Sequence, residues 1–399
     1  MMLFKSISTI VLLFPIIECH DEITREVVHQ QFSVDLLKNE LQYSANCVFN
    51  LPPCQIADDG KSVTCRRRNN TLLLQEIDKF PPWLRRKAAK YSRRQVEADL
   101  VHCTGKEQVS LADTLDLIAD LAKESEQAAP GERESRRFIV SFYQTKFIDD
   151  EVSDRSLCKF LYHLRDAYIT LLFRKTNLFR VNGHAFERNY CSKILDFFPL
   201  TLKPLFFEEI EISGSRDLTI DKHAFYGVKV ENFKIWHNDF VTLTPDAFHG
   251  VNVEHFWLSH NSMKQIDGRQ FPHMLAPLHS LHLEYNNVSN LEPAGVGCEE
   301  IYDIRYAWLA VFHHFQYRFP GTMSDRLRIS PNDWNCDPDN FLLRWIGCSY
   351  AKENFLFIRC HSPNDLLGKT LKQVDFIDDK AYCDHKYQLL VTKPGQCVY

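Results

Sequence analysis

Between Phe207 and Leu291 the apolar residues of this 399-residue chain recur at a spacing that leaves few folds open. The clearest unit is VENFKIWHNDFVTLTPDAF, Val230 to Phe248, with apolar residues at offsets 0, 3, 5, 10, 13 and 18 and Asn238 at offset 8. The next unit starts 23 residues later, and Val253, Phe256, Leu258, Asn261, Met263, Ile266 and Phe271 fill every position. Upstream, Phe207, Ile210, Ile212, Ile220 and Phe225 keep the phase, with Ser215 at the Asn position and Leu218 one place late. Downstream, Leu278, Leu281, Leu283, Asn286, Val288 and Leu291 repeat it after a spacing of 25. Extending the period yields a degenerate unit without the Asn (Ile301, Ile304, Tyr306, Val311, Phe319), after which Leu327, Ile329 and Asn332 open another. Before the run, Tyr168, Leu171, Phe173, Leu178, Val181 and Phe186 fit well, and Phe138 and Val140 weakly.

Offsets 3 and 5 lie on one side of a short strand, so both point into a core while their neighbours point out. One unit cannot bury its apolar side alone; stacked units share a continuous core. An Asn at offset 8 can hydrogen-bond turn backbone at each level, which makes Asn238, Asn261 and Asn286 a structural ladder rather than candidate chemistry. The Phe at offset 18 fills the opposite side. A plain antiparallel sheet explains the alternation but not why Asn and Phe recur in phase. The expected fold is an α/β leucine-rich-repeat solenoid, with short parallel strands on the concave face, an irregular or short helical convex face and disulfide-stapled end caps.

The first residues, MMLFKSISTIVLLFPIIECHDE, carry one Lys and an apolar run from Ile7 to Ile17, the pattern of a secretory signal peptide over residues 1–19. That run is short of the roughly 20 apolar residues a membrane helix needs. Thirteen cysteines include Cys19, and the remaining twelve suit an oxidising, extracellular compartment. No CxxC pair of the zinc type occurs, so disulfides are expected and metal is not. A net charge of −5 gives no global attraction to nucleic acid. Asn69 in NNT and Asn287 in NVS are glycosylation acceptors for a secreted chain.

An open stack exposes core at its ends and needs covers. PNDWNCDPDNFLLRWIGC and the residues after it, taken as residues 331–399, resemble the cysteine-rich C-terminal cap of extracellular leucine-rich-repeat proteins. Pro338 stands where that motif has its second Cys, and Cys348 offers a substitute. The resemblance implies pairing of Cys336 with Cys360 and of Cys348 with Cys383, one of three connectivities open to four cysteines. At the other end NCVFNLPPCQIADDGKSVTC, with Cys47, Cys54 and Cys65, resembles the N-terminal cap and places it in residues 20–66. Residues 67–137 read as a charged insertion, with a helix in LADTLDLIADLAKESEQAA, a linker in APGERESRR and basic clusters. Solvated charge explains these clusters, with convertase cleavage after Arg137 as the sharper alternative. Repeats then occupy 138–330, clearest over 207–296.

The stretch FEEIEISGSRDLTIDKHAFYGVKVENFKIWHNDFVTLTPDAFHGV resembles a family of secreted arthropod leucine-rich-repeat proteins, that of the non-catalytic subunit of oplophorus-luciferin 2-monooxygenase. The resemblance covers Cys191 to Leu291 and, loosely, the caps. It implies a stabilising or partner-binding role and supplies no catalytic residue.

No nucleophile elbow, HExxH, phosphate loop or nucleotide fingerprint is present. Seventeen histidines lack the spacing of a metal-binding helix, and His313–His314 cannot aim both rings at one ion from a strand. The repeat phase instead predicts outward columns: Glu211, Lys234, Trp257, His282, Arg305 at offset 4; Ser213, Trp236, Ser259, Glu284, Ala307 at offset 6; His237, His260, Tyr285, Trp308 at offset 7; and His255 at offset 2. Outward aromatic rings on a rigid sheet are typical binding hot spots. The competing reading has the insertion folding over this face. His237 beside His260 could hold a metal or sense pH, against the plainer reading of surface coincidence. The expectation is a secreted, non-catalytic protein, without cofactor, metal or membrane span, that binds an extracellular protein or glycan. The alternatives are an accessory subunit of an extracellular enzyme and a matrix structural protein.

Overall fold

The computed structural model describes residues 47–56, 63–65, 98–104, 108–116, 118–119, 137–164, 167–187, 205–292, 297–337, 340–348 and 355–374. The recurring apolar pairs become neighbouring strands of one sheet. From one edge to the other it runs Leu327–Arg328, Ser280–His282, Asn252–Ser259, Val228–Trp236, Leu205–Ser213, Tyr168–Arg174, Arg137–Tyr143, Ala98–Thr104, Cys47–Ile56 and Val63–Cys65. Pairing is parallel from Leu327–Arg328 to Ala98–Thr104, and antiparallel only where the two N-terminal strands join. The register aligns the apolar offset: Val101, Val140, Leu171, Ile210, Phe233, Phe256, Leu281 and Leu327 sit side by side. The architecture is mixed α/β, rich in parallel strands and poor in helix, compatible with a solenoid-like fold.

Behind this sheet a second parallel one is built from Glu151–Val152, Arg180–Val181, Asp217–Ile220 and Phe240–Leu243. Between them lies an aromatic column. Phe186, Phe225, Phe248 and Phe271 are buried, with ring centroids 4.8 Å apart for Phe186–Phe225 and 6.3 Å for Phe225–Phe248. The offset-18 Phe therefore fills the interior, as its recurrence requires.

The asparagines form a ladder. Asn238 Nδ2 donates to the Ile212 carbonyl at 3.2 Å, and Asn261 Nδ2 to that of Ile235 at 2.9 Å. Each side-chain oxygen accepts the backbone N–H one level up: Ser215 to Asn238 (2.9 Å), Asn238 to Asn261 (3.0 Å), Asn261 to Asn286 (3.1 Å) and Asn286 to Asn332 (2.9 Å). Backbone groups leaving the strands are satisfied in the interior without water. Upstream the same station holds Thr145, whose hydroxyl donates to the Cys103 carbonyl at 3.2 Å.

Three expectations are corrected. Residues 301–319 do not form a degenerate repeat: they lie mainly in the helix Cys298–Arg318, while Leu281 pairs directly with Leu327. The step from Asn286 to Asn332 is 46 residues, two periods of 23, so extending the period placed a phantom level at Ile304 and Arg305. The helix has its own pattern, with Ile304, Trp308, Val311, Phe312 and Phe315 buried at three- and four-residue steps. His313 and His314 sit on this helix, and His314 Nε2 lies 2.9 Å from the Leu278 carbonyl. Second, the span read as an insertion contributes Ala98–Thr104 to the main sheet, paired with Arg137–Tyr143. Third, Arg137 opens a central strand, faces Glu208 at 2.8 Å and lies over the Tyr168 ring, which is not the exposed loop that cleavage requires.

The expected helix appears over residues 111–116 and 118–119, its continuation lying outside the described residues. Leu111, Leu115, Ile118 and Ala119 join the core, and Asp149 accepts the Leu111 and Ala112 N–H groups at 2.8 and 3.3 Å. Such a carboxylate stabilises the first turn. At the C-terminal end Cys336 is bonded to Cys360, and buried Trp334 donates its indole N–H to the Ile329 carbonyl at 3.1 Å. Trp345, on the helix Phe341–Cys348, stacks on Phe312 at 4.2 Å. Cys103 and Cys158 each take part in a further disulfide. The Cys348–Cys383 pairing and Asn69 lie outside the described residues; Cys54 stands opposite Cys65, and Cys47 opposite Cys103, in the strand register. No described helix is long and apolar enough to cross a membrane.

Candidate functional site

The strand register carries the outward columns to one face. Glu211, Lys234, Trp257 and His282 are successive partners, and the next is Arg328, not Arg305. Ser213, Trp236 and Ser259 form a second column, flanked by His237 and His260 at the strand exits. The residue at each exit takes a left-handed conformation: Gln144, Lys175 and His237 at φ 54°, Gly214 at 72°, His260 at 54° and Tyr285 at 58°. This geometry turns the chain sharply out of the strand and sets His237, His260 and Tyr285 in a row.

The rings then stack across levels. His237 and His260 lie 4.4 Å apart, and His260 and Tyr285 4.2 Å at 25° between planes. Trp257 stacks on His282 at 4.9 Å and 18°. The Lys234 ammonium sits 5.1 Å from the Trp257 ring and 5.6 Å from Trp236, a cation held by two π-faces, while pairing with Glu209 at 3.3 Å. Trp236 donates its indole N–H to Glu211 at 3.0 Å, and Glu211 also receives Ser213 and Arg174. His255 Nδ1 lies 2.8 Å from the Ser280 hydroxyl. Burial, then His279, pushes the His255 imidazole down from its ordinary value; burial, then His237, does the same to His260 although Glu284 opposes it. Both rings are therefore neutral at neutral pH.

The face is not uniform. Ile139, Ser141, Thr170 and Leu172 point away from the main core yet are buried, as is Glu211. From Lys234 onward it opens, with Trp236, Trp257 and His260 half-buried, His237 exposed and Tyr285 55% exposed. The outward side is thus buried upstream and partly open downstream, where Ser259, Ser280, His282 and Glu284 are still buried.

Two predicted site residues are displaced. Trp308 is wholly buried, its ring 5.3 Å from Phe271, where it continues the interior aromatic column. Arg305 leaves the face with the same helix and pairs with Glu292. Asn287 is exposed in its turn, its side-chain nitrogen 3.2 Å from Asp333.

Sequence reasoning missed a second histidine column on the opposite side. His184, His223, His249 and His273 follow one another at 5.2, 5.0 and 4.4 Å between ring centroids. The words HAF at 184–186 and HAFYG at 223–227, with DAFHG at 246–250, were its signal. Burial, then His249, Lys222 and His184, push His223 below its ordinary value, with Asp246 opposing. Among the described residues no group of three or more His, Cys, Asp or Glu is arranged to hold a metal ion.

No known family matches the chain, and no curated protein matches it.

Proposed function

We propose that the chain is a secreted leucine-rich-repeat protein that captures an extracellular protein or glycan on the open part of its main sheet and performs no catalysis itself. The supporting observation is the double stack of Trp257 on His282 and His260 on Tyr285, rings held on the strands and at their exits. Rigid aromatic side chains lose little entropy on binding, and exposed apolar surface of this kind marks interaction sites. The fold reading rests on the 23-residue recurrence and the asparagine ladder; the secreted reading rests on the leader-like N-terminus and the Cys336–Cys360 bond.

The test is saturable capture from extracellular fluid by the immobilised full chain, compared with the Trp257→Ala/Tyr285→Ala variant. The variant should lose at least about tenfold in apparent affinity while its unfolding midpoint stays near wild type. Unchanged capture by the variant, or none by the wild type, rejects the reading. Trp236 is a poorer probe, because its removal also strips a donor from buried Glu211.

A further inference from the structure

We infer that Glu284 is the anchor for a basic side chain, arginine or lysine, brought by a protein partner. The inference rests on the binding-face reading and adds the chemistry of the occupant.

Three other carboxylates of the sheet each have a cation within the chain. Glu208 pairs with Arg137 at 2.8 Å, Glu209 with Lys234 at 3.3 Å, and Glu211 with Arg174. Glu284 is as deeply placed, 8% exposed, but its ion-pair partner among the described residues is only His282, with Nδ1 3.3 Å from Oε1. Its other oxygen, Oε2, is buried without a hydrogen-bond partner, as is Nδ1 of neighbouring His260. The His260 N–H donates to the Glu284 carbonyl at 3.1 Å, so the two levels are locked together beside the carboxylate. Burial and then His237 push the His260 imidazole down although Glu284 opposes them, which disfavours a positive charge on that ring. Arg328 follows His282 in its column, is exposed and forms no ion pair with Glu284.

A carboxylate removed from water without a cation is unfavourable, and a charged donor supplied by a partner relieves it. The surroundings suit such a donor. Along its level Glu284 lies between His282 and Tyr285, each stacked on a ring of the level before. Two levels back, Lys234 shows the same combination already occupied: two aromatic faces and a carboxylate around an ammonium. Charge complementarity favours a cation here over a neutral sugar, whose hydroxyls need donors and acceptors together.

The experiment is titration of the full chain with N-acetyl-arginine amide and with the neutral isostere N-acetyl-citrulline amide, by calorimetry or chemical-shift change. Arginine amide should bind saturably and citrulline amide at least about tenfold more weakly. Glu284→Gln should abolish the difference without lowering the unfolding temperature, since Gln keeps a side-chain oxygen for His282. Arg328→Ala should leave arginine-amide binding equal or tighter. Equal binding of the two amides, no binding of either, or a destabilised Glu284→Gln protein overturns the inference, the last by making the carboxylate a structural acceptor for His282. Destabilisation by Arg328→Ala overturns it by showing that the chain supplies the cation. Glu284-dependent binding of a neutral chitin oligosaccharide would give the site to a glycan and also overturn it. Partner capture lost in Trp257→Ala/Tyr285→Ala but kept in Glu284→Gln leaves the binding face standing and removes only the basic side chain.

Discussion

The strands Arg137–Tyr143 and Tyr168–Arg174 share a register with Val228–Trp236 and Asn252–Ser259, yet their outward sides are buried to different degrees. Upstream, Ile139, Ser141, Thr170 and Leu172 are buried on both sides of the sheet. Downstream, Lys234 and Trp257, in the column of Ser141 and Leu172, are half-buried, as is Trp236 in the next column, while the strand-exit residues are exposed in both parts, Gln144 and Lys175 upstream as His237 and Tyr285 downstream. The interior ladder changes with them, from Thr145, Thr176 and Ser215 to Asn238, Asn261 and Asn286. The inward residues therefore hold one register across the sheet, while the outward ones differ in how far they are packed.

The sharpest way to break that comparison is to truncate one outward residue in each part. Leu172→Ala should cost about 2–5 kcal/mol in denaturant unfolding, as for any buried large-to-small change, and Trp257→Ala roughly 1 kcal/mol. Equal costs would dissolve the distinction. The ladder should show the same asymmetry inside the fold. Asn261→Ala strands the Asn238 N–H and the Ile235 carbonyl and should cost about 2–5 kcal/mol, against about 1 kcal/mol for Thr145→Ala, which removes one hydroxyl donor. Urea midpoints of the two variants decide it.

A smaller effect tests the downstream end of the core. A Cβ on Gly268 would lie 2.6 Å from the Trp308 ring, so Gly268→Ala should destabilise by about 1–3 kcal/mol. A neutral result would take Trp308 out of the core and back toward the face.

The smallest expected effect is a pH dependence. His223 and His260 are held below the ordinary imidazole value by burial first and then by neighbouring histidines. Because the unfolded chain takes up protons at higher pH than the folded one, their contribution is intact above about pH 6.5 and is lost as pH falls through the depressed values. His223→Gln should reduce the fall in unfolding temperature between pH 7.5 and 5 more than it changes the value at pH 7.5. His260→Gln should do the same on the open face, where His237 repels and Glu284 attracts the proton. A drop with acid as large in both variants as in wild type would place the sensitivity elsewhere.

Much of this was legible in the sequence, for a physical reason. Levels with Asn at offset 8 and Phe at offset 18 announce themselves, because those side chains meet interior demands that few others meet. The level with Thr145 at the ladder station does not, and Val140 reads weakly although it lies in register with Leu171 and Val101. The Cys298–Arg318 helix was misread because the detour between paired strands is a whole multiple of the period, so apolar residues spaced for a helix fell on strand positions. Trp308 and Arg305 were drawn onto the face by that coincidence alone. Phase places Trp257 on the outward side and Tyr285 outside, whereas Glu284 is buried, and the carboxylate pairings depend on which long side chains reach across levels, which no spacing records.

The left-handed residues at the strand exits have a further consequence. A side chain in that conformation costs about 1 kcal/mol that glycine would not, and only Gly214 in the row takes the easier choice. Replacing His260 or Tyr285 by Gly would therefore ease the backbone while erasing a projecting ring. Backbone ease and the stacking of these rings across levels are thus set against each other at single positions.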